Sequence, residues 1–285
     1  MNEHDDYYAE PEELELPEAD YTYFNKAKDD IISLYDGGRK EVYYLKQLEV
    51  LFEKKYFHWI TYNVVKFLKD SGHLNLAKEV HKDNKETHFY FHPSNRYPKR
   101  KIKERVRLIE DFSRDEVSLS CGRRAEDLFC LGFAKQGFKI LGEKVREWGG
   151  MIWKKTEHDL DYVFEKDGVC YGCEIKNTFE YIDKKELDIK IEMCEELRLK
   201  PLFIMRWAPK SYINEVYNKG GFSLLYEMKI FDISQKRLVE DIRRLLKVAV
   251  DCPKAIGEGT INRFVKWHEK YVKKKKKRGK KKGTT

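Results

Sequence analysis

The chain has 285 residues, 41% of them hydrophobic and 37% charged, with a formal net charge of +8. That length carries one large or two small domains with a real core, and such a charge-rich composition describes a globular protein in water. No run approaches the ~18 apolar residues of a membrane span and the acidic start does not read as a signal peptide, so no membrane partner is expected, and the expected compartment is the cytoplasm, or the nucleus in a eukaryotic host.

The charge is polarised along the chain. Residues 1–20 hold nine acidic and no basic residues, whereas residues 270–282 hold ten Lys or Arg and no acid. A basic body with a basic tail suits a polyanionic partner, although Lys and Glu also simply solvate a surface. Residues 1–20, with Pro11 and Pro17 and few apolar anchors, read as a disordered acidic segment. Residues 24–34 have helical spacing and stop at Gly37-Gly38. Over 41–55 the residues Val42, Leu45, Leu48, Leu51 and Phe52 predict an amphipathic helix, and Ile60, Val64, Phe67 and Leu68 predict a second, closed by Gly72. Residues 74–80 and 87–91 read as two strands around a polar tip. Helices followed by a hairpin over residues 21–92 resemble the winged helix-turn-helix. That resemblance implies a last helix in the DNA major groove and a wing on the backbone, which places Tyr62, Asn63, Lys66 and Lys69 of the helix and Lys82 and Lys85 of the tip at DNA; the same layout also serves protein contacts.

Residues 93–117 read as a basic linker running into a helix near 102–112. Arg96, Lys99, Arg100, Lys101, Lys103 and Arg105 form either a phosphate-tracking strap or a solvated surface. A second domain is expected over 118–272. Its first helix, 122–136, ends at Gly137 and carries Arg123 and Arg124, placed to reach a phosphate, and Glu126 in its first turn. Residues 145–154 predict a strand. Residues 160–164 and 169–175 predict a hairpin turning at Lys166-Asp167-Gly168. Side chains alternate along a strand, so Glu174 and Lys176 share a face and Asp161 lies beside them on the partner strand. Asp159 competes with Asp161, which is preferred because it sits closer to the apolar strand. Two carboxylates and an ammonium converging on an apolar hairpin make sense around a divalent cation and a water. Cys170 and Cys173, three apart on one strand, face opposite sides and read as small core fillers; the six cysteines show no disulfide spacing. A helix over 184–197, a strand over 201–205, a helix over 210–219 and a strand over 222–226 imply a crossover and a parallel pair. Helices are expected over 235–250 and 256–271, then a disordered lysine-rich tail, 273–285.

Asp161 followed by Glu174-Ile175-Lys176 after a short hairpin resembles the PD-(D/E)XK nuclease superfamily, which includes many restriction endonucleases and archaeal Holliday-junction resolvases. The likeness covers roughly residues 118–232, with Leu160 standing where the motif has its proline. Gly122-Arg123-Arg124-Ala125-Glu126, ending in Gly137-Phe138, resembles the helix whose glutamate aids metal or water binding in that family. The resemblance implies an α/β protein: a three-layer α/β/α restriction-endonuclease-like core with a mixed sheet, preceded by the small winged-helix domain. It implies a Mg²⁺-dependent DNA endonuclease, restriction-type or structure-specific, with Mn²⁺ able to substitute. Asp161, Glu174 and the main-chain carbonyl of Ile175 would hold metal, Lys176 would orient the attacking water, and Glu126 would assist. A homodimer is expected, because cutting two strands takes two sites. The alternatives are a non-catalytic winged-helix DNA-binding protein with a degenerate nuclease core, and an RNA nuclease.

Overall fold

A computed structural model of the chain describes residues 18–81 and 85–282, with side chains for 22–81 and 85–273. The disorder expected over residues 1–20 falls, for residues 1–17, outside the described residues, whereas residues 18–20 are helical and begin a helix that runs to Gly37. The chain divides into two compact units, residues 1–106 and 107–285.

The first unit contains α1 (Glu18–Gly37), β1 (Val42–Tyr44), α2 (Leu45–Phe52), α3 (His58–Asp70), β2 (Asn75–Val80) and β3 (Glu86–Phe91). Val42–Tyr44, expected as the start of a helix, is instead a strand. Its β-branched and aromatic side chains suit a pleated surface, and it pairs antiparallel with β3, Val42 opposite Phe91 and Tyr44 opposite Phe89. β2 pairs on the other side of β3, giving the order β1-β3-β2. Ile31, Tyr35, Leu48, Ile60, Val64, Val65, Leu68 and Tyr90 fill the core. Phe67, expected on the packed stripe, is 47% exposed. The buried face of α3 is already covered by Ile60, Thr61, Val64, Val65 and Leu68, so Phe67 sits at its rim, edge-on to Phe24.

Helix α4 (Lys99–Phe112) takes up most of the expected linker, and the boundary between the units falls within it. Two of its basic residues are not free to track phosphates. Lys101 Nζ lies 2.6 Å and Arg105 Nη2 2.9 Å from the Glu41 carboxylate, and the Arg105 side chain is 3% exposed. Arg96, Lys99, Arg100 and Lys103 remain exposed.

The second unit runs α5 (Asp115–Lys135), β4 (Lys139–Val145), β5 (Glu147–Trp148), β6 (Met151–Ile152), β7 (Leu160–Lys166), β8 (Val169–Lys176), α6 (Lys184–Glu196), β9 (Lys200–Met205), α7 (Lys210–Asn218), β10 (Phe222–Leu225), β11 (Lys229–Ile230), α8 (Lys236–Leu246), β12 (Val250–Asp251) and α9 (Glu258–Lys282). Its main sheet has the order β10-β9-β8-β7-β4. β4, β7 and β8 are antiparallel neighbours, while β8, β9 and β10 are parallel. The sheet is mixed, as expected, and the protein is α/β. Alternation sorts the side chains to two faces. Leu202 and Ile204 of β9 join Phe129 and Phe133 of α5 and Phe264 of α9, with Phe133 ringed by Phe138, Phe164 and Phe264 at 5.1–5.5 Å. Phe203 and Met205 turn the other way, onto Leu187 and Ile191 of α6 and Val216 of α7.

Four elements differ from expectation. The helix expected over 122–136 begins at Asp115, so Glu126 lies in its middle and not in its first turn. The strand expected over 145–154 lies earlier, in β4, which carries a bulge between Ile140 and Gly142, and residues 147–152 form a small separate hairpin. The helix expected to reach 250 stops at Leu246, because Lys247 takes a left-handed conformation that ends it. The backbone of α9 stays helical through Lys282, so residues 273–282 continue a helix where a disordered tail is expected; lysine is a good helix former and the run extends a segment anchored by Ile261, Phe264 and Val265. Residues 283–285 lie outside the described ones. Among the described residues no helix is long and apolar enough to cross a membrane.

At the start of α3, burial, and then the nearby Lys46 ammonium, pull the His58 imidazole down to about 4 from 6.5. An unfolded chain then takes up a proton at His58 before the folded one does. The stability His58 contributes is present above about pH 6.5 and is lost as the pH falls toward 4. Thermal melts of wild type and His58→Gln across pH 7.5 to 4 should show the wild-type melting temperature falling more steeply on the acid side; parallel curves would contradict the assignment.

Candidate active site

The hairpin at the centre of the sheet is shaped by its turn. Asp167 and Gly168 have φ of 53° and 70°, the two left-handed positions of a tight connection whose twist matches the strands, and Gly168 N–H donates to Glu165 Oε1 at 2.8 Å. The register runs from Lys166 opposite Val169 to Tyr162 opposite Cys173, which carries Asp161 to the position facing Glu174. Tyr171, Cys173 and Ile175 enter the core under α5 and α9, so Gly172, Glu174 and Lys176 face α6. A Cβ on Gly172 would lie 2.7 Å from Cys194 Sγ and 2.8 Å from Leu160 Cδ1. Only glycine lets α6 come this close to β8. Asp183 caps α6, accepting from the N–H groups of Lys185 and Glu186.

This close approach sets two side chains of α6 over the strand. Glu174 is 2% exposed. Its Oε1 lies 3.2 Å from Lys176 Nζ and its Oε2 2.5 Å from Lys190 Nζ. Lys190 also donates to the Asp159 carbonyl, and Lys176 also reaches Glu186 at 2.7 Å. Asp161 Oδ2 accepts from Ile175 N–H at 2.7 Å. Burial pushes the Glu174 carboxyl up to about 7, and the Asp161 charge adds to this, while Lys190 and Lys176 oppose it. Burial also raises Asp161, against the Ile175 N–H and Lys190, with the Glu126 charge adding to the rise. Burial alone would lower the Lys176 ammonium, but Glu174 and Glu186 more than offset it and its pKa is raised. Two carboxyls held above their ordinary range side by side are a place where a cation relieves both desolvation and mutual repulsion.

The exit from β8 is locked. Buried Asn177 donates to the carbonyls of Cys121 and Ile230 at 2.8 and 2.7 Å and accepts from Ile230 N–H and the Tyr226 hydroxyl at 2.8 and 3.0 Å. The Lys176 carbonyl accepts from Arg206 N–H and the Tyr226 hydroxyl. The Arg206 guanidinium, 1% exposed, holds the Thr178 and Phe179 carbonyls.

Of the residues singled out from the sequence, Asp161, Glu174, Ile175 and Lys176 come together here. Asp159 contributes its carbonyl to Lys190, and Asp161 is the carboxylate that faces Glu174. Glu126, on α5 at the opposite face of the sheet, accepts from the Tyr162 hydroxyl at 3.2 Å. Among the described residues no three or more His, Cys, Asp or Glu side chains form a group able to hold a metal, so Glu126 stands outside the Asp161–Glu174 pair. Two carboxylates without a third side chain do not make a closed zinc or calcium cage, but they fit Mg²⁺, which takes one or two carboxylates and keeps several waters. Arg123 is exposed, whereas Arg124 is committed to the Pro253 carbonyl at 2.9 Å. In the first unit Lys66 and Lys85 are exposed and Lys69 pairs with Asp70 at 2.6 Å. Asn63 is half-buried and Tyr62 packs against the core. Lys82 lies outside the described residues.

Lys190, Glu186 and Asn177 escape the sequence reading. Lys190 had a usable signal: it falls inside the stripe Leu187, Ile191, Cys194 that α6 buries, where an unpaired ammonium is costly. Comparison with protein-family models, curated proteins and solved structures finds no match.

Asn177→Ala removes four hydrogen bonds and leaves main-chain groups of Cys121 and Ile230 without this partner. It should destabilise the protein by about 1–3 kcal/mol, read as a lowered midpoint in urea denaturation; an unchanged midpoint would mean that water replaces the amide.

Proposed function

We propose that the protein is a Mg²⁺-dependent DNA endonuclease of the PD-(D/E)XK type. One observation carries the reading: Asp161 faces Glu174 across β7 and β8, with Lys176 on the same face as Glu174. The mixed five-stranded sheet with helices on both faces supports a restriction-endonuclease-like core. In this reading Asp161, Glu174 and the Ile175 carbonyl hold Mg²⁺, with Mn²⁺ able to substitute. Charge neutralisation at the phosphate and a more acidic bound water are what the ion supplies when present. The chain's own residues do the rest. The Ile175 N–H fixes one oxygen of Asp161, so that carboxylate is oriented before any ligand arrives. Lys176 aligns the attacking water and stabilises charge growing on the phosphate oxygens. Glu126 acts on the site through its charge and through Tyr162.

The first unit, with the order α1-β1-α2-α3-β2-β3 and the sheet β1-β3-β2, supports a winged helix that binds duplex DNA through Lys66, Lys69 and Lys85. A homodimer would bring two such centres to two strands. A second reading has an observation in its favour. Glu174, Lys176, Lys190 and Glu186 form a closed set of ion pairs that is complete without metal, as a non-catalytic DNA-binding protein with a degenerate nuclease core would require.

The two readings separate on substitution. Asp161→Ala and Glu174→Ala should abolish Mg²⁺-dependent cleavage while DNA binding persists, since each removes a metal ligand and a negative charge near the phosphates. Lys176→Ala should slow cleavage ~10²-fold or more. A folded Glu174→Ala protein that cleaves at the wild-type rate sinks the proposal. Lys66→Ala should instead raise the apparent Kd and leave turnover at saturating DNA intact; a collapse of turnover with normal binding would show that the first unit has been misread.

A further inference from the structure

We infer that the solvent face at the start of α4 is a binding surface for single-stranded nucleic acid, on which Tyr97 stacks against an unpaired base and Arg96, Lys99, Arg100 and Lys103 hold the phosphates. This surface is separate from the Asp161–Glu174 pair and does not rest on the endonuclease reading. The cations of α4 fall into two sets. Lys101 and Arg105, one turn apart, turn to Glu41 and are held by it at 2.6 and 2.9 Å. Lys99, Arg100 and Lys103 are exposed. They stand three and four residues apart and so are neighbours on one side of the helix. Arg96, also exposed, precedes them in the loop. Among the described residues none of these four is ion-paired. Surface lysines elsewhere do find acids: Lys155 pairs with Glu192 at 2.6 Å and Lys219 with Glu195 at 2.8 Å.

The arrangement works against the helix that carries it. Lys99 and Lys103 are like charges at i and i+4, and Arg100 and Lys103 at i and i+3, which repel. They sit at the N-terminal end, where the dipole disfavours cations, and the first turn has no acidic residue to compensate. A polyanion relieves both costs. Tyr97 marks that polyanion as a single strand. At 85% exposure it is the most exposed large apolar side chain among the described residues. Its backbone is nonetheless held: Tyr97 N–H donates to Asn95 Oδ1 at 3.2 Å, Asn95 Nδ2 donates to the Lys40 carbonyl at 3.1 Å, and Asn95 N–H donates to the His92 carbonyl at 2.9 Å. A ring displayed in solvent beside free cations offers an unpaired base a face to stack on and its phosphates a charge to meet. In a duplex the base faces are already stacked on one another, and the phosphates alone would be left to bind, which takes cations and no ring.

Fluorescence anisotropy of the full chain in EDTA, with a labelled oligo-dT, an oligo-U and a mixed-sequence duplex of equal length, reads binding without cleavage. Tyr97→Ala should weaken binding of the single strand by about tenfold, the scale of one lost stacking contact, and leave the duplex Kd unchanged. Tyr97→Phe, which keeps the ring, should bind as wild type does. Lys99→Gln combined with Lys103→Gln should flatten the slope of log Kd against log salt for the single strand by about 1.4, two phosphate contacts' worth. The side chains concerned are exposed, so the variants keep the fold. A Tyr97→Ala loss on oligo-dT, on oligo-U or on both supports the inference and tells which strand is taken. Wild-type affinity of Tyr97→Ala for both single strands overturns it. So does an equal loss on the duplex, which would make Tyr97 part of a duplex or general polyanion surface, and so does an unchanged salt slope in the double lysine variant. With the metal removed, each of these results leaves the endonuclease reading where it stands.

Discussion

A carboxylate at 2% exposure is expensive to keep charged, and Glu174 is kept in place by two ammoniums that arrive from different directions. Lys176 comes along the same strand, two residues on, and Lys190 comes down from α6. Across the strand pair stands Asp161, a second acid that repels the first. Glu174 thus has two ammoniums, while Asp161 is held by the Ile175 N–H and feels Lys190 and Lys176 only at longer range. Removing either lysine leaves a buried acid short of a partner, and removing Glu174 leaves Lys190 charged within the buried face of its helix.

Much of the second unit serves to maintain that spacing. The antiparallel β7–β8 pair with its Asp167-Gly168 turn fixes which residue faces Glu174. The parallel β8–β9 pair forces a crossover, and the crossover is α6, which carries Lys190 and Glu186 back over the strand. Gly172 provides the clearance for that helix. Asn177, Tyr226 and Arg206 then clamp the chain as it leaves β8, so Lys176 projects from a backbone with its carbonyl and the next residues all hydrogen-bonded. In the endonuclease reading proposed above, side chains held by such strands would need little rearrangement to meet a phosphate.

The pattern of elements was legible where side chains repeat at clear periods. The β7–β8 hairpin, α6, β9, α7 and β10 lie within a residue or two of their expected bounds, and the facing of Asp161 and Glu174 follows from alternation together with the register that the Lys166-Asp167-Gly168 turn sets. Expectation failed where tertiary partners decide. Val42–Tyr44 fits a helical stripe but pairs with Phe89–Phe91. β4 is a bulged edge strand with exposed Ile140 and Leu141 and so lacks an apolar alternation. Lys101, Arg105 and Arg124 look like phosphate ligands in a list of charges, and only the fold reveals that Glu41 and the Pro253 carbonyl hold them. Asn177 carries no sequence signal, because an asparagine after a strand usually means a turn.

The most direct test is to incubate wild-type protein with Mg²⁺ and, separately, with EDTA, against plasmid, four-way junction, flap, single-stranded DNA and RNA. The account predicts phosphodiester cleavage of at least one DNA substrate that requires the metal. No cleavage of any DNA with Mg²⁺ or Mn²⁺, by folded protein that binds the same DNA, would contradict it.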